Sequence, residues 1–318
     1  MAELDVTTCK LALLTGGWSD EREIAIDSAR ACQRALGQAG FQNIDFIDVA
    51  EPGVASKLEQ GGYDVAFIAM HGRYGEDGCV QGMLEVMGIP YTFSNVTASA
   101  VATNKHLAKL AYFADDIPVA DGYEIDSPDD VTEDDIDEMI EVLGLPVFVK
   151  PTCNGSSYGI TKVKERAEFM PAIELACGTD GTCIVEECID GIEVTVPVLG
   201  NKDPQALPVV EIEPGKGAEF YNLKVKYEPS DLHHVIPARL PEDVYKEVQE
   251  LAVAAHLALG CAGASRSDFI ITEDGTPVIL ETNTIPGMTE TSLLPDSARH
   301  AGIEFPDLCR KFVELALE

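Results

Sequence analysis

The residues with the clearest chemical potential lie in a predicted β-hairpin near the C-terminus. The dipeptide Asp274-Gly275 separates two apolar runs and is typical of a two-residue hairpin turn. In that register Asp268 lies directly opposite Glu281. Two facing carboxylates repel each other, and a hard cation between them removes the repulsion. The hairpin therefore predicts a magnesium or manganese site; the alternative is a solvated hairpin whose acids face water.

The same register places Arg266 opposite Asn283. Because side chains alternate along a strand, both share a face with the paired acids, whereas Phe269 and Leu280 pair on the other face and are expected in a core. The side-chain oxygen of Asn283 suits the same hard cation. Arg266 is a candidate for stabilising negative charge that develops during a reaction.

A phosphate site is predicted, although the chain contains neither a P-loop nor a dinucleotide-binding glycine motif after a strand. Lys150 ends a predicted strand, and small residues in the segment 154–159 let backbone N–H groups approach phosphate oxygens. Lys105 and Lys226 are further basic candidates. Each lysine alone could be a solvated surface residue, but three of them in so acidic a chain favour an anionic ligand.

Residues that could bind the adenine and the ribose of a nucleotide lie at and after the end of the strand predicted at 182–186. The backbone of segment 186–189 could pair with an adenine edge, and an acid there could bind ribose. Glu193 is the better-placed acid for the ribose.

His71 and Glu21 each follow a predicted strand in the N-terminal part of the chain. In open parallel sheets, ligands bind beyond the carboxyl ends of the strands. An acid at that edge could hold an ammonium group. A capping or turn role is the alternative for both residues.

The composition excludes several classes of protein. Fifty-five acidic and 22 basic residues among 318 give a net charge of −33, which repels nucleic acid and anionic membranes. Nine cysteines without a C-x-x-C spacing argue against a secreted disulfide framework and a tetrathiolate zinc site. The N-terminus lacks a basic n-region, and no run approaches the roughly 18 apolar residues of a membrane span. We therefore expect a soluble, cytoplasmic protein.

The elements that must position these residues begin as alternating short strands and helices, which predicts a parallel sheet wrapped by helices. Asp20 is the expected N-cap of the first helix and Gly40 its end. The other predictions are strands at 10–14, 46–49, 65–70, 145–150, 182–186, 193–199 and 207–212, helices at 97–114, 126–141, 241–259 and 306–317, and a functional loop at 213–236.

A series of short motifs runs in order along nearly the whole chain. They are Gly16-Gly17 with Ser19 and Glu21-Arg22-Glu23; His71-Gly72-Arg73 with Gly75-Glu76-Asp77-Gly78 and Gln81-Gly82; Lys150-Pro151 with Gly155-Ser156-Ser157; Lys226-Tyr227; Arg266 with Asp268; Glu281-Thr282-Asn283-Thr284 with Pro286-Gly287-Met288-Thr289; and Ser292-Leu293. With these motifs the chain resembles the D-alanine–D-alanine ligases, which are ATP-grasp carboxylate–amine ligases.

The resemblance implies an α/β (α+β) fold, in which an N-terminal doubly wound parallel-sheet domain precedes a two-part ATP-grasp fold. The expected boundaries are 1–94 for the N-terminal domain, 95–188 for the central subdomain and 189–318 for the C-terminal subdomain, which carries the metal site and a lid loop at 213–236. It also implies a homodimer that acts on the small molecules D-alanine and ATP, with neither nucleic acid nor membrane as a partner.

The resemblance also implies roles for individual residues. The residues expected to hold ATP are Lys105, Lys150, Glu186, Ile189 and Glu193, with Lys226 at the phosphates. Two magnesium or manganese ions would be held by Asp268, Glu281 and Asn283. A hydrogen-bonded set that joins the lid to the site would comprise Glu21, Ser156 and Tyr227. The first D-alanine would contact His71 and Arg266, and the carboxylate of the second would meet Ser292, with Gly287 and Leu293 also lining the substrate site.

The implied reaction has two steps. The carboxylate of the first D-alanine attacks the γ-phosphorus of ATP to give an acyl phosphate, and the amine of the second then displaces phosphate to form the dipeptide used in peptidoglycan precursors. The alternatives are D-serine or D-lactate as the acceptor, of which Tyr227 disfavours D-lactate, and a catalytically silent nucleotide-binding regulator. Trp18 and Tyr158 depart from the family pattern near the site.

Overall fold

The computed structural model describes residues 5–153, 159–213 and 233–318. Its helices are α1 Arg22–Gln38, α2 Val54–Gly61, α3 Cys79–Met87, α4 Val96–Thr103, α5 Lys105–Ala114, α6 Glu133–Leu143, α7 Phe169–Asp180, α8 Glu242–Ala258, α9 Leu293–His300 and α10 Phe305–Ala316. Its strands are β1 Lys10–Thr15, β2 Asn43–Asp48, β3 Val65–Ile68, β4 Gly122–Ile125, β5 Val147–Pro151, β6 Thr161–Val163, β7 Cys183–Glu187, β8 Ile192–Leu199, β9 Gln205–Ala206, β10 Val210–Glu213, β11 His233–Val235, β12 Ala264–Ile271 and β13 Pro277–Asn283. Within these ranges, no helix is long and apolar enough to cross a lipid bilayer.

The first sheet is parallel, with the strand order β2-β1-β3. All four residues of β3 are buried, as are five of the six in β1. Strands that are buried on both faces need apolar residues at successive positions, which is why these two appear in the sequence as short continuous apolar runs. The predicted parallel sheet is confirmed.

The first helix ends as predicted but begins differently. α1 starts at Arg22, whose N–H donates to the carbonyl of Ser19 at 3.1 Å, and no side chain caps the helix. The prediction of Asp20 as the N-cap is therefore wrong, because a backbone turn over residues 19–22 satisfies that N–H instead. Gly40 follows the helix with a φ of 102°, a left-handed conformation that favours glycine at a helix end.

The second sheet is antiparallel, with the order β4-β7-β5-β6, and the third has the order β11-β10-β8-β12-β13, with β9 on β8. The strands predicted at 145–150, 182–186 and 193–199 correspond to β5, β7 and β8. The sequence analysis does not predict α3, α7 and α9. Each contains a residue that disfavours helix, namely Gly82, Pro171 or Pro295.

The helix predicted at 97–114 is two helices, α4 and α5. The break lies at Asn104, whose backbone is extended and whose side-chain oxygen accepts a hydrogen bond from the N–H of Leu107 at 2.9 Å. Asparagine is a preferred N-cap because it offers this bond. The break sets the position of Lys105, which becomes the first residue of α5.

Most of the loop predicted at 213–236 lies outside the described residues, but its last part, from residue 233, is described. Residues 233–235 form β11, which pairs antiparallel with β10, so that Glu213 lies opposite His233 and Glu211 opposite Val235. The prediction of loop structure is wrong there, because this segment completes the edge of the third sheet. Arg239 bonds both Glu211 and Glu213 and ties the following chain to that edge.

The last helix packs into the core of the first sheet, far from it in sequence. Phe312 on α10 is fully buried, with its ring centroid 4.9 Å from that of Phe93 and 6.4 Å from that of Phe67. Leu308 and Val313 join the same apolar cluster. The C-terminal residues therefore contribute to the core that supports the N-terminal strands.

A buried histidine predicts how stability depends on pH. His256 on α8 is fully buried, and its Nδ1 lies 2.7 Å from the hydroxyl oxygen of Ser265. Burial lowers its pKa to about 4. The unfolded chain binds the proton below about pH 6.5 and the folded chain only near pH 4, so this contribution is complete above pH 6.5 and is lost as the pH falls. We expect the loss to be on the order of 3 kcal/mol between pH 6.5 and 4.

Urea unfolding of wild type and His256→Gln at several pH values measures this contribution. The variant should show a shallower fall in the free energy of unfolding between pH 6.5 and 4. His300→Gln, at a half-exposed ring on α9, serves as the control and should keep the wild-type slope. Identical slopes for wild type and His256→Gln would contradict the assignment.

Candidate active site

The predicted cross-strand pairing of the four hairpin site residues is confirmed. In the paired strands β12 and β13, Asp268 lies opposite Glu281 and Arg266 opposite Asn283. Arg266 and Asp268 share a face, because their side chains bond each other. The hairpin thus brings two acids, a guanidinium and an amide to one surface of the third sheet.

The turn and the pairing of the residues next to it differ from the prediction, although the acids pair as predicted. The turn is one residue longer: the N–H of Thr272 donates to the carbonyl of Thr276, and the N–H of Thr276 donates to the hydroxyl oxygen of Thr272. Phe269 consequently pairs with Ile279, and the predicted pairing with Leu280 is wrong. A β-bulge at Leu280 then inserts one extra residue and restores the register of the acids. The two one-residue irregularities cancel.

Asp268 is held by hydrogen bonds to both of its oxygens. Arg266 Nε donates to Oδ1 at 3.0 Å and Nη2 to Oδ2 at 2.9 Å, and the hydroxyl of Thr195 on β8 donates to Oδ1 at 2.5 Å. Thr195 is fully buried and Arg266 is 5% exposed. A bidentate guanidinium and a buried hydroxyl fix the orientation of the carboxylate.

The acids beside the hairpin carry more negative charge than the nearby cations offset. Burial raises the pKa of Glu193 on β8 to about 7, and the charges of Asp268 and Glu281 add to the rise. The oxygen of Asn283 accepts a hydrogen bond from the N–H of Ile285 at 3.0 Å. Two carboxylates and an amide oxygen fit a hard divalent cation. Across the described residues, no three His, Cys, Asp or Glu side chains form a metal-binding group by themselves.

A second group lies on the second sheet. Glu186 on β7 is 3% exposed, with Lys150 Nζ at 2.6 Å from one oxygen and Lys109 Nζ at 2.5 Å from the other. Burial alone would raise the pKa of Glu186, but the charges of the two lysines lower it to about 2. Burial would likewise lower the pKa of Lys150, and Glu186 raises it instead. Glu186 and Lys150 are therefore both charged near neutral pH.

Lys105 connects the two groups. Its backbone N–H donates to the carbonyl of Thr152, next to the end of β5, at 2.9 Å. Its Nζ lies 3.5 Å from Glu281 Oε2 on the third sheet. The side chain of Lys105 is 9% exposed and that of Glu281 is 42% exposed, so the ion pair joins a buried ammonium group to a partly exposed carboxylate of the third sheet. Lys105 and Lys150, with the acids Glu186 and Glu281, therefore lie in one region of the molecule.

His71 lies at the carboxyl end of the first sheet, after β3, and is 5% exposed. Its Nε2 is 2.9 Å from Ser28 Oγ on α1, and its Nδ1 is 3.4 Å from Glu76 Oε1. The hydroxyl of Ser19 donates to its carbonyl at 2.7 Å. Glu21 lies beside it, since a Cβ built on Gly72 would be 2.6 Å from Glu21 Oε2. The structure therefore brings Glu21 and His71 together.

The segment after β13 reaches the same region. Ser292 Oγ accepts a hydrogen bond from the N–H of Thr289 at 3.1 Å and lies 2.8 Å from the hydroxyl of Thr289. A Cβ on Gly287 would approach Ser292 Oγ to 3.0 Å. The carbonyl of Met288 accepts from the thiol of Cys32, one turn after Ser28 on α1. Met288, between Gly287 and Ser292 in sequence, thus contacts α1, the helix whose Ser28 lies beside the His71 ring.

The other predicted site residues are distributed as follows. Ile189 is half-buried just after β7, and Leu293 is buried at the start of α9. Trp18 is 63% exposed and packs edge-on against Tyr74, with the ring centroids 5.8 Å apart. Ser156, Lys226 and Tyr227 lie outside the described residues.

Sequence reasoning missed three residues that hold predicted site residues in place, namely Lys109, Thr195 and Ser28. Two of them carried a usable signal. Lys109 is one helical turn after Lys105, and Thr195 is two strand positions after Glu193, so each shares a face with a predicted site residue. Ser28 had no such signal, because it lies on α1 whereas its partner His71 follows β3.

Comparison with protein families gives two matches in this chain. Residues 112–314 match the family described as "D-ala D-ala ligase C-terminus", and residues 49–94 match "D-ala D-ala ligase N-terminus". The chain belongs to the D-alanine–D-alanine ligase family. The first match contains Lys150, Glu186, Arg266 and Glu281, and the second contains His71.

Individual members of the family are similar over almost the full chain. The D-alanine–D-alanine ligase of Geotalea uraniireducens is 45% identical over 98% of this chain and 97% of its own length. The crystal structure of the Bacillus anthracis enzyme has a TM-score of 0.85 at 32% identity, covering 98% of each chain, and its complex with ATP has 0.82 at 29%. The VanG D-Ala:D-Ser ligase of Enterococcus faecalis has a TM-score of 0.81 at 31% identity, over 97% of this chain and 99% of its own. These matches confirm the predicted ATP-grasp fold.

Proposed function

We propose that this protein joins two D-alanine molecules in an ATP-dependent, ADP-forming reaction. The observation that carries the proposal is the meeting of Asp268 and Glu281 with Lys105 at the junction of the second and third sheets. The carboxylate, the triphosphate and the acyl phosphate are all anionic, so the reaction needs a locally cationic site. Lysines and an arginine gathered there, in a chain of net charge −33, meet that need. Family membership supports this reaction over a silent nucleotide-binding regulator.

Magnesium or manganese, two ions per site, would be held by Asp268, Glu281 and Asn283. The facing of Asp268 and Glu281 across the hairpin supports this, because a cation would offset the repulsion between the two carboxylates. When bound, the ions offset charge on the phosphates and on the transferred phosphoryl group. Thr195 and Arg266 keep the Asp268 carboxylate oriented.

The nucleotide would lie between the second and third sheets. Lys105 and Lys150 would approach its phosphates, Glu186 and the backbone at Ile189 would accept and donate at the adenine edge, and Glu193 would bind ribose. Lys226 stays a prediction for the phosphates. The convergence of these described side chains supports the arrangement, as does the ATP complex of the Bacillus anthracis relative.

In the first step, a carboxylate oxygen of the first D-alanine bonds to the γ-phosphorus while the bond to the β-phosphate oxygen breaks and ADP leaves. In the second, the neutral amine nitrogen of the second D-alanine bonds to the acyl carbon, and phosphate departs with the electrons of the C–O bond. Arg266 would stabilise the negative charge of the acyl phosphate and of the tetrahedral adduct. Glu21 and His71 would line the first D-alanine, and Ser292 would bind the carboxylate of the second.

Phosphate release tests the proposal. With ATP and D-alanine, release should require both substrates and magnesium, and D-alanyl-D-alanine should appear in equal amount. No release with D-alanine would contradict the proposed function. The similarity to the D-Ala:D-Ser ligase of Enterococcus faecalis makes D-serine the second candidate acceptor, so a mixed dipeptide formed faster from D-alanine with D-serine would reassign the acceptor.

Glu281→Gln should lower magnesium-dependent turnover at least about a hundredfold, because it removes a charged metal ligand without changing its volume. Glu273→Gln, in the exposed turn of the same hairpin, is the matched control and should retain wild-type turnover. Manganese binding measured by electron paramagnetic resonance should weaken in Glu281→Gln alone. Wild-type turnover and manganese affinity in that variant would refute the metal assignment.

We also propose the domain boundaries 1–94, 95–188 and 189–318, and a homodimer. The separate apolar clusters of the first and second sheets support an N-terminal and a central unit, whereas residues of α4 and α5 pack in the cluster of the third sheet. The packing of α10 into the first core shows that the C-terminal segment returns to the N-terminal domain. Sedimentation equilibrium would measure the subunit number.

A further inference from the structure

Lys109 has no role in the reaction described above, yet it lies within the site. It is on α5 one turn after Lys105, and its side chain is 14% exposed. Its Nζ lies 2.5 Å from Glu186 Oε1 and donates a hydrogen bond to the carbonyl of Ala120 at 2.9 Å. Lys150 approaches the other oxygen of Glu186. One buried carboxylate therefore lies between two ammonium groups.

We propose that Lys109 is a positioning residue that keeps Glu186 charged and in place, so that Lys150 is available to the nucleotide. The inference rests on the proposed nucleotide site. A lysine that turns toward a phosphate must leave its carboxylate partner. A buried carboxylate without a partner is strongly disfavoured, so Glu186 alone would retain Lys150. With Lys109 present, Glu186 keeps a counter-ion whichever way Lys150 points.

The surroundings of Lys109 and Lys150 indicate a different role for each lysine. Lys109 is anchored by the Ala120 carbonyl at the entry to β4, on the far side of Glu186 from β5. Lys150 lies on β5, one residue before its end, and in sequence it precedes the segment 154–159 in which phosphate binding is predicted. The fixed lysine therefore serves the carboxylate, and the lysine that precedes the predicted phosphate segment serves the nucleotide. The low pKa of Glu186, to which both lysines contribute, agrees with this arrangement.

Lys109→Met removes the charge while retaining most of the side-chain volume. Lys150 then stays paired with Glu186, and we expect the Kd for ADP and the KM for ATP to rise about tenfold or more, with the KM for D-alanine within about twofold of wild type. Lys109→Arg should restore most of the affinity, since it returns the charge. Lys246→Met, which breaks an exposed lysine–glutamate pair on α8, is the control and should change neither constant.

A double variant separates positioning from a merely structural role. In Lys109→Met/Glu186→Gln the uncompensated charge is gone and Lys150 is released, so the Kd for ADP should be lower than in Lys109→Met alone. If the single variant folds poorly, the double variant, which lacks the buried charge, is compared with wild type instead, and its Kd for ADP should be close to the wild-type value. Unchanged ADP affinity in Lys109→Met, or equal rises in KM for ATP and D-alanine, would overturn the proposal.

The same measurements distinguish this inference from the proposed function. ADP binding by calorimetry needs no D-alanine, so a protein that binds ADP with the expected contrast between variants but forms no dipeptide would keep the role of Lys109 and lose the reaction. A wild-type protein that does not bind ADP would overturn the role of Lys109 as well.

Discussion

Arg266→Lys is expected to lower kcat/KM for dipeptide formation by about a hundredfold or more. The guanidinium of Arg266 makes two hydrogen bonds to Asp268, at 3.0 and 2.9 Å, from a position that is 5% exposed. A lysine ammonium is a point charge and cannot reproduce this planar pair of bonds. The variant therefore loses both the orientation of Asp268 and the directed stabilisation of the acyl phosphate.

Lysine is the informative replacement because it keeps the charge. Arg266→Met would leave the partly buried Asp268 carboxylate without this counter-ion and cost on the order of 3 kcal/mol of stability, which would obscure the catalytic effect. Arg166→Lys is the matched control, since Arg166 also bonds two acids, Asp137 and Glu133, but at the surface. Steady-state kinetics should show a wild-type kcat/KM for the control. A wild-type kcat/KM for Arg266→Lys would remove Arg266 from the proposed mechanism.

Phe312→Ala is expected to lower the free energy of unfolding by about 3–5 kcal/mol. The ring is fully buried among Phe67 and Phe93, and its removal forfeits apolar burial and leaves a cavity where α10 packs on the first sheet. Because α10 closes this core from the other end of the chain, the loss should also weaken the strand ends that carry His71.

Phe113→Ala provides the control for the same substitution. The ring of Phe113 on α5 is 74% exposed, so its removal should change the free energy of unfolding by no more than about 0.5 kcal/mol. Urea unfolding followed by circular dichroism measures both variants. Equal effects for Phe312→Ala and Phe113→Ala would contradict the packing of α10 into the first core.

Local sequence signals were sufficient where one strand or one turn controls the geometry. Alternation along β12 placed Arg266 and Asp268 on one face, and the hairpin pattern placed Glu281 opposite Asp268. Even there the predicted two-residue turn was wrong. The turn is one residue longer, and the bulge at Leu280 compensates for the extra residue. Neither irregularity has a strong signature, since a bulge depends on how the strand packs against the rest of the sheet.

Relations between distant segments were beyond local patterns. The ion pair of Lys105 with Glu281 joins residues far apart in sequence, and so does that of Lys109 with Glu186. Periodicity gives the face of an element but not the element that it meets, which is why Ser28 was not predicted. The break at Asn104 was missed because an asparagine within a helical pattern becomes an N-cap only when the chain turns there.

The sequence by itself determined several of the strands and helices, the pairing of the hairpin acids and, through its ordered motifs, the family. These depend on side-chain chemistry and on spacings within a few residues, which the linear order preserves. The tertiary structure alone decided that α10 returns to the first sheet and that Lys109 and Lys150 share Glu186. Such contacts depend on burial of apolar area and compensation of charge between segments that become neighbours only after folding.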